Sequence, residues 1–282
     1  MATRAVTAEE IVQLRAHPNF RTVVEAYAAS NLIRYRALPM LERWLVRDIG
    51  CAALSAACVI LEGLNRLTPA ELLSSWPVVN GQVSRGRARL YLQRAMANAL
   101  ILSTDPARPA DPSAPLRLSP TFRTATSGIV TGSLQAAEDL GLPVAEARRR
   151  LREPVFRSRL SVAMGFVFAS SHALFPPDSP IRLFQSRDGG SRMLEALIIA
   201  QPDERPRLLT RCAVTHSGLA RAGACSRAHV IRLLRDGGES GLLRQEGREL
   251  HFAPALSDDA ERYFAAAFLV TALGAEAAAQ EV

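Results

Sequence analysis

At 282 residues, 48% hydrophobic and 22% charged, the chain is long enough for one large domain or two ordinary ones and too apolar for intrinsic disorder. Its formal net charge is +7 and all 34 basic residues are arginines, a balance that favours a polyanionic partner such as nucleic acid over a membrane surface. The four cysteines, Cys51, Cys58, Cys212 and Cys225, show neither CxxC spacing nor a paired histidine cluster, which argues against both a zinc site and a disulfide framework.

In chain order, Thr7-Ala-Glu-Glu10 reads as a capping box that opens a short helix ended at His17-Pro18. Apolar residues then recur at helical spacing from Phe20 to Arg36, up to a break near Pro39. Cys51 to Leu61 is nearly all apolar and predicts a helix buried on every side, with Cys51 and Cys58 as structural thiols. Ile49 to Leu61 reads as the longest apolar run and is too short to span a bilayer; MATRAVTAEE has no apolar signal core, so a cytoplasmic protein is expected.

Thr68-Pro69-Ala70-Glu71 is a strong helix start, with an N-cap threonine, proline at the first helical position and glutamate at the third. Trp76-Pro77 through Asn80-Gly81 then make a turn into a basic helix from Val83 to Asn98. On that helix Gln82, Arg85, Arg89 and Gln93 fall on one stripe, while Ala88, Tyr91, Leu92 and Ala95 fall on the other side. Leu100 to Ser103 and Leu116 to Leu118 read as short strands flanking a proline-rich loop with Arg108 near its tip, a first wing. A further helical segment lies within Ser119 to Leu140, followed by the basic run Arg148 to Arg152.

Beyond that point the order of landmarks repeats. Pro18, Phe20 and Arg21 return as Pro154, Phe156 and Arg157; Arg47, Asp48, Gly50 and Leu54 return as Arg187, Asp188, Gly190 and Leu194. Ser84, Arg85 and Leu92 return as Ser226, Arg227 and Leu234, and the stretch ending at Pro120 matches the one ending at Pro254. The second basic helix, from Cys225 to Arg235, carries His229, Arg232 and Arg235 outward and Val230, Leu233 and Leu234 inward. Gly237 to Gly241 end it, and LLRQEGRELHF forms a hairpin turning at Glu246-Gly247 with Arg248 beside the turn, a second wing. Ser257-Asp258-Asp259 is expected to cap a final helix to about Ala279.

THSGLARAGACSRAHVIRLL, from Thr215 to Leu234, resembles the helix-turn-helix of winged-helix bacterial regulators, most of all the MarR group, in Leu219, Ala220, Ser226, Val230 and Leu233. It departs from their pattern at the turn, where Gly223 comes one position early and Ala224 stands where glycine is usual. The resemblance implies a mainly α fold with small β-hairpin wings: two winged-helix domains, 1–140 and 141–282, related by internal duplication and a pseudo-two-fold axis, a single-chain pseudo-dimer. It also implies a transcriptional regulator that binds double-stranded DNA in two major-groove segments, with room for a small-molecule effector and for a further homodimer.

On groove chemistry, Arg85, Arg89 and Arg232 are the expected base readers, with Arg232 the match of Arg89 and with Gln82 and His229 in support, while Gln93 and Arg235 lie on the same stripes as further DNA-binding candidates. Ser84 and Ser226 open the helices beside phosphate; Arg87, Arg94 and Arg227 are further phosphate candidates, and Arg108 and Arg248 act from the wings. No metal or cofactor is expected. The histidines, His17, His172, His216, His229 and His251, form no nucleophile arrangement with Ser or Cys and an acid, so an enzyme is not expected. Two alternatives stay open: a plasmid-type replication initiator with tandem winged helices, and a winged-helix scaffold that binds protein rather than DNA.

Overall fold

The computed structural model describes residues 4–105, 111–171, 174, 176, 178–203 and 206–280. It is mainly helical with two small antiparallel sheets. The first half runs α1 (Ala8–Arg15), α2 (Phe20–Ala37), α3 (Met40–Leu45), α4 (Ile49–Gly63), α5 (Pro69–Leu73), α6 (Trp76–Val79), α7 (Arg85–Ala97), β1 (Ile101–Ser103), β2 (Leu116–Leu118) and α8 (Pro120–Asp139). The second runs α9 (Ala145–Arg150), α10 (Pro154–Ser170), α11 (Arg182–Gln185), α12 (Gly190–Ile199), β3 (Arg211–Ala213), α13 (His216–Gly223), α14 (Arg227–Glu239), β4 (Leu243–Glu246), β5 (Glu249–Phe252) and α15 (Pro254–Gln280). His172 and Arg108 lie outside the described residues.

Local chemistry sets most boundaries. Thr7 and Glu10 make a reciprocal capping box on α1, and Thr68 caps α5 by accepting from the Glu71 amide. β1 and β2 pair with Ile101 opposite Leu118, and the second sheet has the order β3-β5-β4. β3 has no strong signal of its own, because it is three residues long and buries only Cys212. At the equivalent place in the first half there is no strand, only a backbone bond from the Leu116 amide to the Leu67 carbonyl, 2.8 Å.

The final helix starts at Pro254, not at the Ser257-Asp258-Asp259 run. Those side chains hold neighbouring chain instead: Ser257 Oγ accepts from the Leu209 amide at 2.9 Å, and Asp259 Oδ2 accepts from the Ile181 amide at 2.9 Å. α15 is also the one described helix long and apolar enough to cross a membrane by length and composition, which corrects the place given to Ile49 to Leu61. Two-thirds of its apolar window is buried inside the protein (67%), as expected of a central core helix.

Packing crosses the midpoint of the chain. α2 lies on α12 and α10 on α4; α1 lies on α15 and α9 on α8; α8 and α15 pack on each other. A boundary near residue 140 therefore does not separate the cores. Ile11, Leu14, Phe20, Val23 and Val24 share one core with Phe184, Met193, Leu233, Leu250 and Phe264, whereas Leu54, Leu72, Tyr91, Ile101 and Leu118 form another. A third, smaller cluster joins Leu134 of α8, Phe156 and Leu160 of α10 and Ala272 and Ala275 of α15. The α4–α10 crossing is close because Gly165 has no side chain: a Cβ there would collide with Ile60 Cδ1.

At the α2–α12 crossing sits a buried carboxylate, Glu195, 4% exposed. Burial pushes it up to about 7, against the pull of the Arg192 guanidinium at 2.7 Å and the Asn31 amide at 3.1 Å. A carboxyl that holds its proton more tightly folded than unfolded supports the fold at low pH and withdraws that support as pH rises from about 4.5 through about 7. Glu195→Gln should therefore raise the melting temperature at pH 8 and leave it nearly unchanged at pH 4. Thermal denaturation of both proteins across that range checks this, and a gap of constant size at every pH would contradict it.

Candidate nucleic-acid interface

The two basic helices are built alike. α7 and α14 each run 13 residues behind a capping serine: Ser84 Oγ accepts from the Arg87 amide and Ser226 Oγ from the His229 amide, both at 3.2 Å. α7 buries Ala88, Tyr91, Leu92 and Ala95, and α14 buries Val230, Leu233, Leu234 and Gly237, the same positions counted from the cap. Among the outward residues are Arg85, Arg89, Leu90, Gln93 and Arg94 on one helix and Arg227, Ile231, Arg232 and Arg235 on the other. Position by position, then, Arg232 matches Leu90 rather than Arg89, and Arg89 matches Ile231.

The turn before α14 explains the displaced glycine. Ala224 itself takes the left-handed conformation, φ 50°, that closes α13. Gly223 sits in a tight place, where a Cβ would lie 3.1 Å from both Gly189 O and Met193 Cγ. Its partner Gly189 is held at φ 68° against the Gly223 carbonyl. The motif trades an easier turn for a closer approach of α13 to α12.

Among the described residues Arg85, Arg89, Arg227, Arg232 and Arg248 are exposed and form no ion pair. Arg87 is different. Its guanidinium donates to Asp48 Oδ1 at 2.6 Å, so it tethers α7 to the start of α4. Arg94 lies over the Trp44 ring, 4.7 Å from its centroid, and that ring stacks on Tyr91. Arg235 is exposed but flanked by Asp236 at 3.6 Å and Glu239 at 3.7 Å. Gln82 is half-buried and Gln93 exposed. His229, expected on the outward stripe, matches Arg87 and turns to the flank: the residue is half-buried and its Nε2 is shielded with no hydrogen-bond partner.

Arg248 follows Gly247, whose φ of 62° makes the β4–β5 turn, and its carbonyl accepts from the Val214 amide at 2.9 Å. That hairpin is mixed in charge, with Arg244 paired to Glu246 at 2.7 Å. α7 carries no acidic residue, and those of α14, Asp236 and Glu239, stand near its C-terminal end, away from the Ser226 cap.

Residues that sequence reading passed over are Leu90, 67% exposed, and Ile231, 47% exposed. Aligning the two helices from their serine caps brings them out, because each faces an arginine in the other copy. Cys225, at the start of the second helix, is not an activated thiol: burial and the Asp188 charge push it up. No family model, curated protein or solved structure matches the chain.

The arginines of α7 thus fall into a structural one and available ones, which denaturation can separate. Arg87→Ala should cost about 1–2 kcal/mol, because it leaves the buried Asp48 carboxylate short of a partner. Arg85→Ala and Arg89→Ala should stay within about 0.5 kcal/mol of the parent. Urea titrations of the three variants test the division, which fails if all three lose the same stability.

Proposed function

We propose that the chain is a sequence-specific double-stranded DNA-binding regulator, built as two winged-helix units in one chain. One observation carries this reading: both halves present a serine-capped, arginine-bearing helix that buries the same four positions, and a β-hairpin and a long helix follow it each time. In the second half the order is helix, strand, helix, turn, basic helix, hairpin, with the first strand on the outer edge beside the last. Helix, turn, basic helix and hairpin in succession are what the MarR-like resemblance of Thr215 to Leu234 implies, and β3 adds a strand to that series.

The chemistry follows from the outward faces. An α-helix fits the major groove, and an unpaired arginine there can bond bidentately to guanine O6 and N7. Arg89 and Arg232 carry this role, with Arg85 and Arg227 one turn nearer the caps and Arg248 reaching from the hairpin. Ser84, Ser226 and the free amides behind them lie where a phosphate would be held. Leu90 and Ile231 suit thymine methyl groups. Since arginine and aliphatic residue exchange places between the two helices, the units read different half-sites, about one helical turn apart in an imperfect palindrome. Covalent linkage raises the effective concentration of the second unit once the first has bound. On this reading Arg87 and His229 act within the fold, and Arg94, though exposed, is engaged over the Trp44 ring.

Arg89→Ala should cost ~1–3 kcal/mol in binding and relax preference in one half-site, and Arg232→Ala should do the same in the other. Arg248→Ala should weaken all sequences evenly and lower the salt slope by about one if it holds a phosphate. Selection of bound duplexes from a random pool by each variant reads all three effects. Binding and preferred sequence unchanged in both the Arg89 and Arg232 variants would sink the assignment.

A further inference from the structure

Away from both basic helices, a cleft of about 430 Å³ opens where the first hairpin meets the second half of the chain. Three arginines from three elements line it: Arg117 of β2, Arg123 in the second turn of α8 and Arg157 at the same step of α10. Pro120 and Pro154, the first residues of α8 and α10, also line it, so the positive ends of a 20-residue and a 17-residue helix meet there. Thr124 and Ser127 add hydroxyl groups to the wall.

The charges in this cleft are not balanced. Arg123 is paired with Glu62 at 2.7 Å, and that carboxylate is also held by the Leu118 amide at 2.6 Å. Arg117 and Arg157 have no ion-pair partner among the described residues, and Glu153, which precedes α10, is turned to Arg150 at 3.2 Å. Like charges at this density repel one another unless an anion sits between them. Three guanidinium groups set against one carboxylate leave a surplus suited to a dianion, and guanidinium forks match the geometry of phosphate oxygens, whereas the Ser127 hydroxyl is committed to the Thr124 carbonyl at 3.0 Å. A cleft of this volume has room for more than a bare ion.

We infer that this cleft between β2, α8 and α10 is a phosphate-binding site shared by the two halves of the chain. Its occupancy bridges the first hairpin to a helix of the second half, and so links the setting of one basic unit to the other. The phosphate comes either from a phosphorylated small molecule or from the backbone of a duplex. The site stands without the DNA reading, which bears only on the second source.

The full chain should gain thermal stability in inorganic phosphate over chloride at matched ionic strength. Arg157→Gln and the fully surface-placed Arg117→Gln should each weaken that phosphate response at least tenfold; two variants on different elements guard against one that merely unfolds. If duplex affinity measured in phosphate-free buffer is unchanged in both, the source is a free phosphorylated molecule. If instead both variants lower the salt slope of duplex binding by about one and phosphate competes with duplex, the source is the backbone. The inference is overturned if phosphate stabilises no more than chloride while duplex binding is unaltered, or if the phosphate response survives both substitutions. A chain that answers to phosphate but binds no duplex would retain this site and lose the DNA reading.

Discussion

Asp48 is the point through which the separate parts of this molecule are held. Its carboxylate is 2% exposed and makes three commitments: it caps α4 through the Cys51 amide at 2.9 Å, and it pairs with Arg87 of α7 at 2.6 Å and with Arg47 at 3.2 Å. Arg47 in turn reaches Asp188 at 3.4 Å, while its carbonyl accepts from the Gly189 amide at 2.8 Å. The chain before α12 then repeats the tether with its signs reversed, because Arg187 pairs with Asp236 of α14 at 2.6 Å. A buried charge is tolerable only when its oxygens are satisfied, so the positions of both basic helices are tied to one network that also joins the halves.

Helix packing joins the two halves as well. α2 covers α12 and α10 covers α4, so each half lends a long helix to the other. The exchange buries apolar faces that a lone unit of this length would leave wet, and it ends on α15, whose flanking helices α8 and α10 shield most of it. The two basic helices are seated in different cores, α7 with Leu54, Leu72 and Ile101 and α14 with Phe184, Met193 and Phe264, and the helices that cross between the halves join those cores.

Much of this was legible before any coordinates, and the reasons are local. Capping boxes, proline at the first helical position and the glycine turn of the second hairpin each act within four residues, so Thr7, Thr68, Ser84, Ser226 and Gly247 sit where their chemistry required. What failed depended on distant partners. Ser257 and Asp259 look like a helix start until their amide partners at Leu209 and Ile181 are known. Arg87 looks as available as Arg89 until Asp48 is beside it, and β3 exists only because β5 pairs with it. The exchange of helices left no local trace at all: periodicity says that a face is buried, never by which neighbour.

The two basic helices show how the constraints are divided. Their inner faces bury the same four positions, but only Leu92 and Leu234 are the same residue; Tyr91 stands against Leu233 and Ala88 against Val230, so each helix fills a pocket of its own shape. Their outer faces match at the capping serines and at Arg85 and Arg227, then diverge at the next turn, Arg89-Leu90 against Ile231-Arg232. In a dimer of identical chains such divergence cannot occur, since one substitution changes both faces together. A single chain carrying both helices removes that restriction, and the ion pairs from Arg87 through Asp48 and Arg47 to Asp188 still join α7 to the segment before α12. Two basic helices in one chain can therefore differ on their outer faces in a way that two copies of one chain cannot.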